Sequence, residues 1–180
     1  MKRIIIHWTG GHLEPNATDY KHYHFLINGN GVLIQGKYPV GANEKCKTDA
    51  KNNALYAAHC GGGNTGSVGV AMCGMYTPNN TDFRNSPDCL TKIQVERCFK
   101  LIAEISKLYK IPITSDTVMT HYEFGLKHPK TTSAGKIDIV YLPPYPNLKA
   151  SEIGDFIRQK AIWYLKELNK GNKEIELEKK

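Results

Sequence analysis

"HYHFLINGNGVLIQG", residues 22–36, is the stretch on which the fold turns. Two apolar runs, Tyr23–Ile27 and Val32–Ile34, flank Asn28-Gly29-Asn30-Gly31. Asn and Gly tolerate positive φ, and an Asn-Gly turn between two strand-like runs is a strong hairpin signal. Upstream, Lys2–His7 is a short β-branched run stopped by Thr9-Gly10-Gly11 and reads as a buried strand. The segment through Pro15, Asn16 and Asp19 reads as loop with one helical turn. Downstream, Ser67–Met72 reads as a second buried strand ending at Cys73-Gly74, and Thr117–Thr120 as a short strand carrying His121.

Helices separate these strands. Thr91 with Gln94 makes a capping box, followed by Val95, Cys98, Phe99, Ile102, Ile105 and Tyr109 at helical spacing, and Pro112 ends the helix. After the turn Pro143-Pro144-Tyr145-Pro146, a last helix starting near Ser151 repeats the pattern with Ile153, Phe156, Ile157, Ala161, Tyr164 and Leu168. Tyr38–Asn64 has no clear pattern: Ala50–Ala58 is a weak helix and Gly61-Gly62-Gly63 is loop. Thr77–Asp88 reads as a surface loop. Strands interleaved with long helices imply the α/β (α+β) class, with a single mixed central sheet flanked by helices. At 180 residues without an internal linker, the expectation is one domain over 1–170 and a charged, frayed tail over 171–180.

Composition bounds the function. Hydrophobic content of 41% is ordinary for a globular protein, and no apolar run approaches the roughly 20 residues needed to span a bilayer. The three isoleucines after Met1-Lys2-Arg3 fall short of a signal-peptide core of about 7–15 residues, so synthesis in the cytoplasm is expected. Five cysteines without a CxxC pair argue against a zinc knuckle and a complete disulfide framework, and reduced thiols are expected. A formal charge of +7 suits a polyanionic partner, either nucleic acid or the anionic bacterial envelope, and also suits a merely solvated basic surface.

The chemistry concentrates in Thr120–Tyr141, "THYEFGLKHPKTTSAGKIDIVY". If this stretch folds back, His121 and Asp138 become two ligands of one metal ion, and Lys136, two residues before Asp138 on an extended segment, shares its face. His7, ending the first strand, is the best third ligand. Two histidines and a carboxylate suit zinc with a fourth position open for water. Each residue also has a plainer reading: hydrogen-bonded strand-end histidines, a turn-capping Asp138 and a solvated Lys136. Lys136 beside such a centre would stabilise an oxyanion, and Tyr23 would share a proton there or simply pack in the core. His22 and His24 are expected on the face opposite Tyr23, His59 at a pocket edge, and His12 and His128 in solvent. Glu123 is a base or an ordinary surface carboxylate, and Gly61–Gly63 lacks the Lys and Ser/Thr of a phosphate loop.

The order of His7-Trp8-Thr9, "YHFLINGNGVLIQG", "GSVGVAMCG", "THYE" and "GKIDIVY" over residues 3–165 closely resembles the zinc-dependent N-acetylmuramoyl-L-alanine amidases. This group contains the phage lysozyme-type enzymes and the peptidoglycan recognition proteins. The resemblance implies zinc on His7, His121 and Asp138, a catalytic Lys136, Tyr23 as helper to the metal-bound water, and His59 near the substrate groove. Two departures stand out. Recycling relatives carry a catalytic glutamate in the strand matching Val68–Met72, where this chain has no acid and Ala71 stands at or next to the place. The fourteen residues between His121 and Lys136 also form a longer spacer than the phage type has.

The resemblance implies hydrolysis of the bond between N-acetylmuramic acid and L-alanine in peptidoglycan, by a phage-type endolysin acting on the wall after membrane breach. A monomer meeting peptidoglycan or muropeptide and the anionic envelope, with no nucleic acid, is expected. The alternatives are a non-catalytic peptidoglycan-binding module, which the intact ligand set disfavours, and a cytoplasmic muropeptide-recycling amidase. A nucleic-acid-binding domain would show salt-dependent DNA binding, and no motif supports it.

Overall fold

In the computed structural model, which describes residues 1–78 and 82–178 and side chains as far as Gly171, the regular elements are β1 (Arg3–Trp8), α1 (Ala17–His22), β2 (Phe25–Ile27), β3 (Leu33–Gln35), β4 (Ser67–Met72), α2 (Lys92–Tyr109), β5 (Val118–Thr120), α3 (His121–Lys127) and α4 (Ala150–Glu178). One five-stranded sheet has the order β3-β2-β4-β1-β5. β1 is parallel to both neighbours, β2 is parallel to β4, and the edge pair β2–β3 is the antiparallel hairpin read from residues 22–36. This is the expected mixed sheet flanked by helices.

Side chains alternate across a strand, so the central strands divide their residues between two faces. Ile4, Ile6 and Trp8 join Val68, Val70 and Met72 in the main core beneath α2 and α4. Ile5 packs on the other face with Cys60, Met119 and Phe124, while Ala71 lies with Leu26 and Cys73. That second face carries His7, and loops rather than long helices cover it.

α2 starts as its sequence dictates. Thr91 Oγ1 accepts from the Gln94 N–H at 3.3 Å and Gln94 Oε1 accepts from the Thr91 N–H at 3.2 Å. Gln94 goes further: its fully buried Nε2 donates to the carbonyls of Ile27 and Cys73, both at 2.7 Å, pinning the helix to the ends of β2 and β4. On α4, Arg158 donates to the Val118 carbonyl at 2.9 Å and makes two bonds to the Glu123 carboxylate at 2.9 and 3.0 Å. A Cβ on Gly154 would collide with that carboxylate, so only glycine lets α4 approach so closely.

Three local expectations are corrected. Ala50–Ala58 forms no helix, because Asp49 Oδ1 accepts from the N–H groups of Lys51 and Asn53 at 2.8 and 2.9 Å and holds the backbone in a turn. The strand of residues 23–27 begins at Phe25: Tyr23 is the C-cap of α1, which Asn16 and Asp19 open with a capping box. His121 does not end a strand, since Thr120 caps α3 and His121 is its first residue. The expected boundary at residue 171 falls inside α4. Residues 79–81 of the Thr77–Asp88 loop and 179–180 of the charged tail lie outside the described residues.

Two stability outcomes follow. Gln94→Leu removes the donor to two buried carbonyls and is expected to destabilise the protein by about 2–4 kcal/mol in urea unfolding. We propose that 1–170 forms one domain to which the charged residues after it add little stability. Leu168 is the last half-buried residue described and 169–171 are exposed, so a chain ending at Gly171 is expected to melt within about 2 °C of the full chain by circular dichroism.

Candidate metal centre

His7 is fully buried near the end of β1 on the loop-covered face. β5 runs parallel beside β1, with Ile6 opposite Thr120, so the first residue of α3, His121, arrives next to His7. The ring centroids are 4.6 Å apart. The turn Ile137–Val140, closed by the Val140 N–H donating to the Ile137 carbonyl at 3.1 Å, delivers Asp138. Ile139 holds φ +68° and buries its side chain completely, anchoring the turn. This turn corrects the extended Lys136–Asp138 segment expected from spacing. Lys136 is exposed, and it still lines the same cleft as Asp138 because the chain bends rather than alternates.

One carboxylate oxygen meets both histidines: Asp138 Oδ2 lies 2.9 Å from His7 Nδ1 and 3.0 Å from His121 Nδ1. All three candidate ligand atoms fall within 4.8 Å of one another. The other ring nitrogens are held from behind. His121 Nε2 is 3.0 Å from Ser133 Oγ, whose own hydrogen goes to the Gly61 carbonyl at 2.7 Å. Ser133 therefore accepts from His121, and a neutral His121 directs a bare Nδ1 at Asp138. Two acceptors 3.0 Å apart need a cation or a proton between them.

Those donors fit zinc. Tetrahedral Zn–N and Zn–O bonds of about 2.0–2.1 Å put neighbouring ligand atoms about 3.3 Å apart, a few tenths of an ångström wider than the contacts here. Without a metal, charge distributes as that geometry requires. Burial lowers the pKa of His7 to about 4, against the opposing hydrogen bond that Asp138 accepts from it. Burial also acts to lower that of His121, but the Asp138 hydrogen bond outweighs it and the pKa rises to about 9. Burial would raise the Asp138 carboxyl, and the two histidine hydrogen bonds overturn this and hold it well below the usual carboxylate range.

His59 lines the cleft as its place before the glycine run suggests, and its Nδ1 also lies 3.0 Å from His7 Nε2, a contact that residue order does not reveal. Ser133 was missed altogether. A serine inside a spacer carries no signal until the loop closes on Gly61. Tyr23 stacks on His7 with centroids 5.1 Å apart, and burial followed by the Asp138 charge pushes its phenol pKa far up, so it stays a hydroxyl donor. His22 also lines the cleft, contrary to the opposite-face expectation, because α1 runs through it and no strand alternation applies. His24 is buried behind His59, where it accepts from the Gly69 N–H at 2.9 Å and bonds Asn43 Oδ1 at 3.0 Å. Glu123 is no base: it accepts from the Thr120 N–H at 2.9 Å and pairs with Arg158, fixing the turn that carries His121. His12 is exposed beside Asp88, and His128 packs on Phe124 with centroids 4.2 Å apart.

The centre opens into a cleft of about 480 Å³ lined by Trp8, Tyr23, His59, Thr132, Lys136 and Asp138 among others. A second cleft of about 440 Å³, with Lys21, Lys37 and Tyr38, shares His22 and Ala58 with it. A third of about 320 Å³, with Met75, Phe83 and Ile137, shares Trp8, Lys136 and Asp138. The candidate centre thus lies in a cleft that adjoins two others. Ala71 pairs in register with His7, and its methyl is buried with Leu26 and Cys73, so β4 sends no carboxylate to this point.

No curated protein matches the chain. A family model described as N-acetylmuramoyl-L-alanine amidase matches residues 1–137, which include His7, Tyr23, His121 and Lys136 and stop one residue before Asp138. A match over three quarters of the chain, on a mixed sheet whose strand ends converge on this histidine pair, places the protein in the N-acetylmuramoyl-L-alanine amidase family.

Proposed function

We propose that the protein is a zinc-dependent hydrolase of the amide between the lactyl group of N-acetylmuramic acid and L-alanine in peptidoglycan. Family membership supports peptidoglycan amidase activity in general. The observation that carries the zinc reading is the single Asp138 oxygen facing two imidazole Nδ1 atoms, with His121 Nε2 tied to Ser133. His7, His121 and Asp138 would hold the ion. Zinc supplies Lewis acidity toward the scissile carbonyl and lowers the pKa of a coordinated water.

The chain's own residues account for the rest. Lys136 brings an exposed ammonium to the cleft beside Asp138, suited to the negative charge that develops on the carbonyl oxygen. Tyr23 presents a protonated hydroxyl on the other side of His7, suited to orienting the attacking water or the leaving amine. Water oxygen bonds to the carbonyl carbon, the C–N bond breaks, and the amine leaves with a proton that originated on the water. A groove running both ways from the centre suits a substrate with glycan on one side of the bond and peptide on the other. Ala71 beside His7 favours the Tyr23-assisted reading over the recycling-type one.

The +7 charge supports attraction to the anionic envelope by a monomer. Among the described residues no helix is long and apolar enough to cross a membrane. We place the enzyme in the lytic role of a phage endolysin, made in the cytoplasm and acting on the wall after membrane breach. Loss of culture turbidity when membrane-permeabilised cells contain the protein, and its absence with His7→Ala, tests that setting.

The reaction is tested by digesting purified peptidoglycan with and without a chelator. New amino groups of L-alanine without new reducing ends, abolished by chelation and restored by zinc, are expected; reducing ends or no products overturn the proposal. His7→Ala and Asp138→Ala are expected to lose stoichiometric zinc. Lys136→Met is expected to keep zinc while kcat falls by about 10²–10³. Zinc must displace the proton that His121 holds up to about pH 9, so apparent affinity should rise with pH toward that value. Below it, affinity should fall by up to about tenfold per unit, and a flat competition titration between pH 6 and 8 would contradict this.

A further inference from the structure

We propose that His59 is the positioning residue of this centre: its Nδ1 accepts the Nε2 proton of His7 and so holds His7 in the tautomer that directs the Nδ1 lone pair at the metal position. The proposal rests on the zinc reading above and gives His59 a role distinct from the place near the substrate groove that the resemblance implies. A neutral imidazole carries one ring proton, and the hydrogen bond at one nitrogen decides whether the other can ligate. At His121 that partner is Ser133, as shown by the onward bond to Gly61. At His7 the partner of Nε2 among the described residues is His59 Nδ1, at 3.0 Å.

The fold invests in placing this ring. The N–H groups of His59 and Cys60 both donate to Asn64 Oδ1 at 2.9 Å. Asn43 Nδ2 donates to the carbonyls of Ala57 and Asn64 at 2.9 and 3.1 Å, clamping the loop on both sides of His59. The ring lies directly on β4 at Gly69, where a Cβ would come within 2.6 Å of His59 Cγ. A glycine in the middle of a buried strand costs backbone entropy, and here it clears the space that the imidazole fills. Among the described residues His59 Nε2 is buried without a hydrogen-bond partner, and the one side-chain hydrogen bond of the ring is to His7. A residue kept for packing alone would not leave a nitrogen stranded in this way.

The test compares wild type with His59→Leu, which fills space without an acceptor, and His59→Asn, which places an amide oxygen near the Nδ1 position. Zinc affinity is read by competition with a chromogenic chelator, folding by thermal melts, and tautomers by long-range nitrogen-15 correlation spectra of the zinc-loaded wild type. Leucine is expected to weaken zinc binding by about 10–100-fold and asparagine by no more than about 3-fold. The wild-type spectrum should show His7 protonated at Nε2 and His59 bare at Nδ1. Equal affinity in His59→Leu, equal loss in His59→Asn, or a proton on His59 Nδ1 would overturn the role. If the leucine variant does not fold, the wild-type spectrum decides. A wild type that binds no zinc defeats the metal reading and this inference together, whereas tight wild-type binding unchanged by leucine defeats this inference alone.

Discussion

A fully buried imidazole near the end of an inner strand of the sheet needs a partner for each ring nitrogen, and the arrangement of this protein follows from meeting that need at His7. Burial without a partner is costly for any polar group. β1 cannot satisfy the ring itself, because its backbone groups are committed to β4 and β5. Two separate loops must therefore reach back over the sheet, one delivering Asp138 to Nδ1 and the other His59 to Nε2. The face of the sheet that these loops cover is where the chemistry sits.

The opposite face supplies the rigidity. α2 and α4 bury the alternate side chains of β1 and β4. The same helices reach through to the site by polar contacts: Gln94 grips the ends of β2 and β4, and Arg158 grips Glu123 behind His121. Glu123 thus connects the far helix to a candidate ligand by way of the α3 cap. Catalytic constellations need such backing, since small displacements of a ligating or reacting group cost rate steeply.

Small residues on the site side matter as much as the charged ones. Gly69 admits the His59 ring, and Ala71 leaves an apolar surface where an acid on β4 would meet His7. In the proposed reaction, acid–base work falls to groups that come from outside the sheet: Tyr23 at the end of α1 and Lys136 just before the turn that carries Asp138. Both line the cleft of the candidate centre, and two further clefts share residues with that one.

The local signals in the sequence were sufficient for the hairpin, the two amphipathic helices, the Thr91–Gln94 box and the three candidate ligands. Each of these rests on short-range rules: period 2, period 3.6, capping, and residue chemistry. The tertiary structure alone decided which ring nitrogens face one another, that Lys136 and Asp138 share a cleft by a turn rather than a strand, that Glu123 pairs with Arg158, and that His59 and Ser133 bond to His7 and His121. Those outcomes depend on contacts between residues 52 and 131 positions apart, His7 with His59 and His7 with Asp138. No local pattern encodes such contacts; they exist only once parallel strands have brought distant loops to one edge of the sheet.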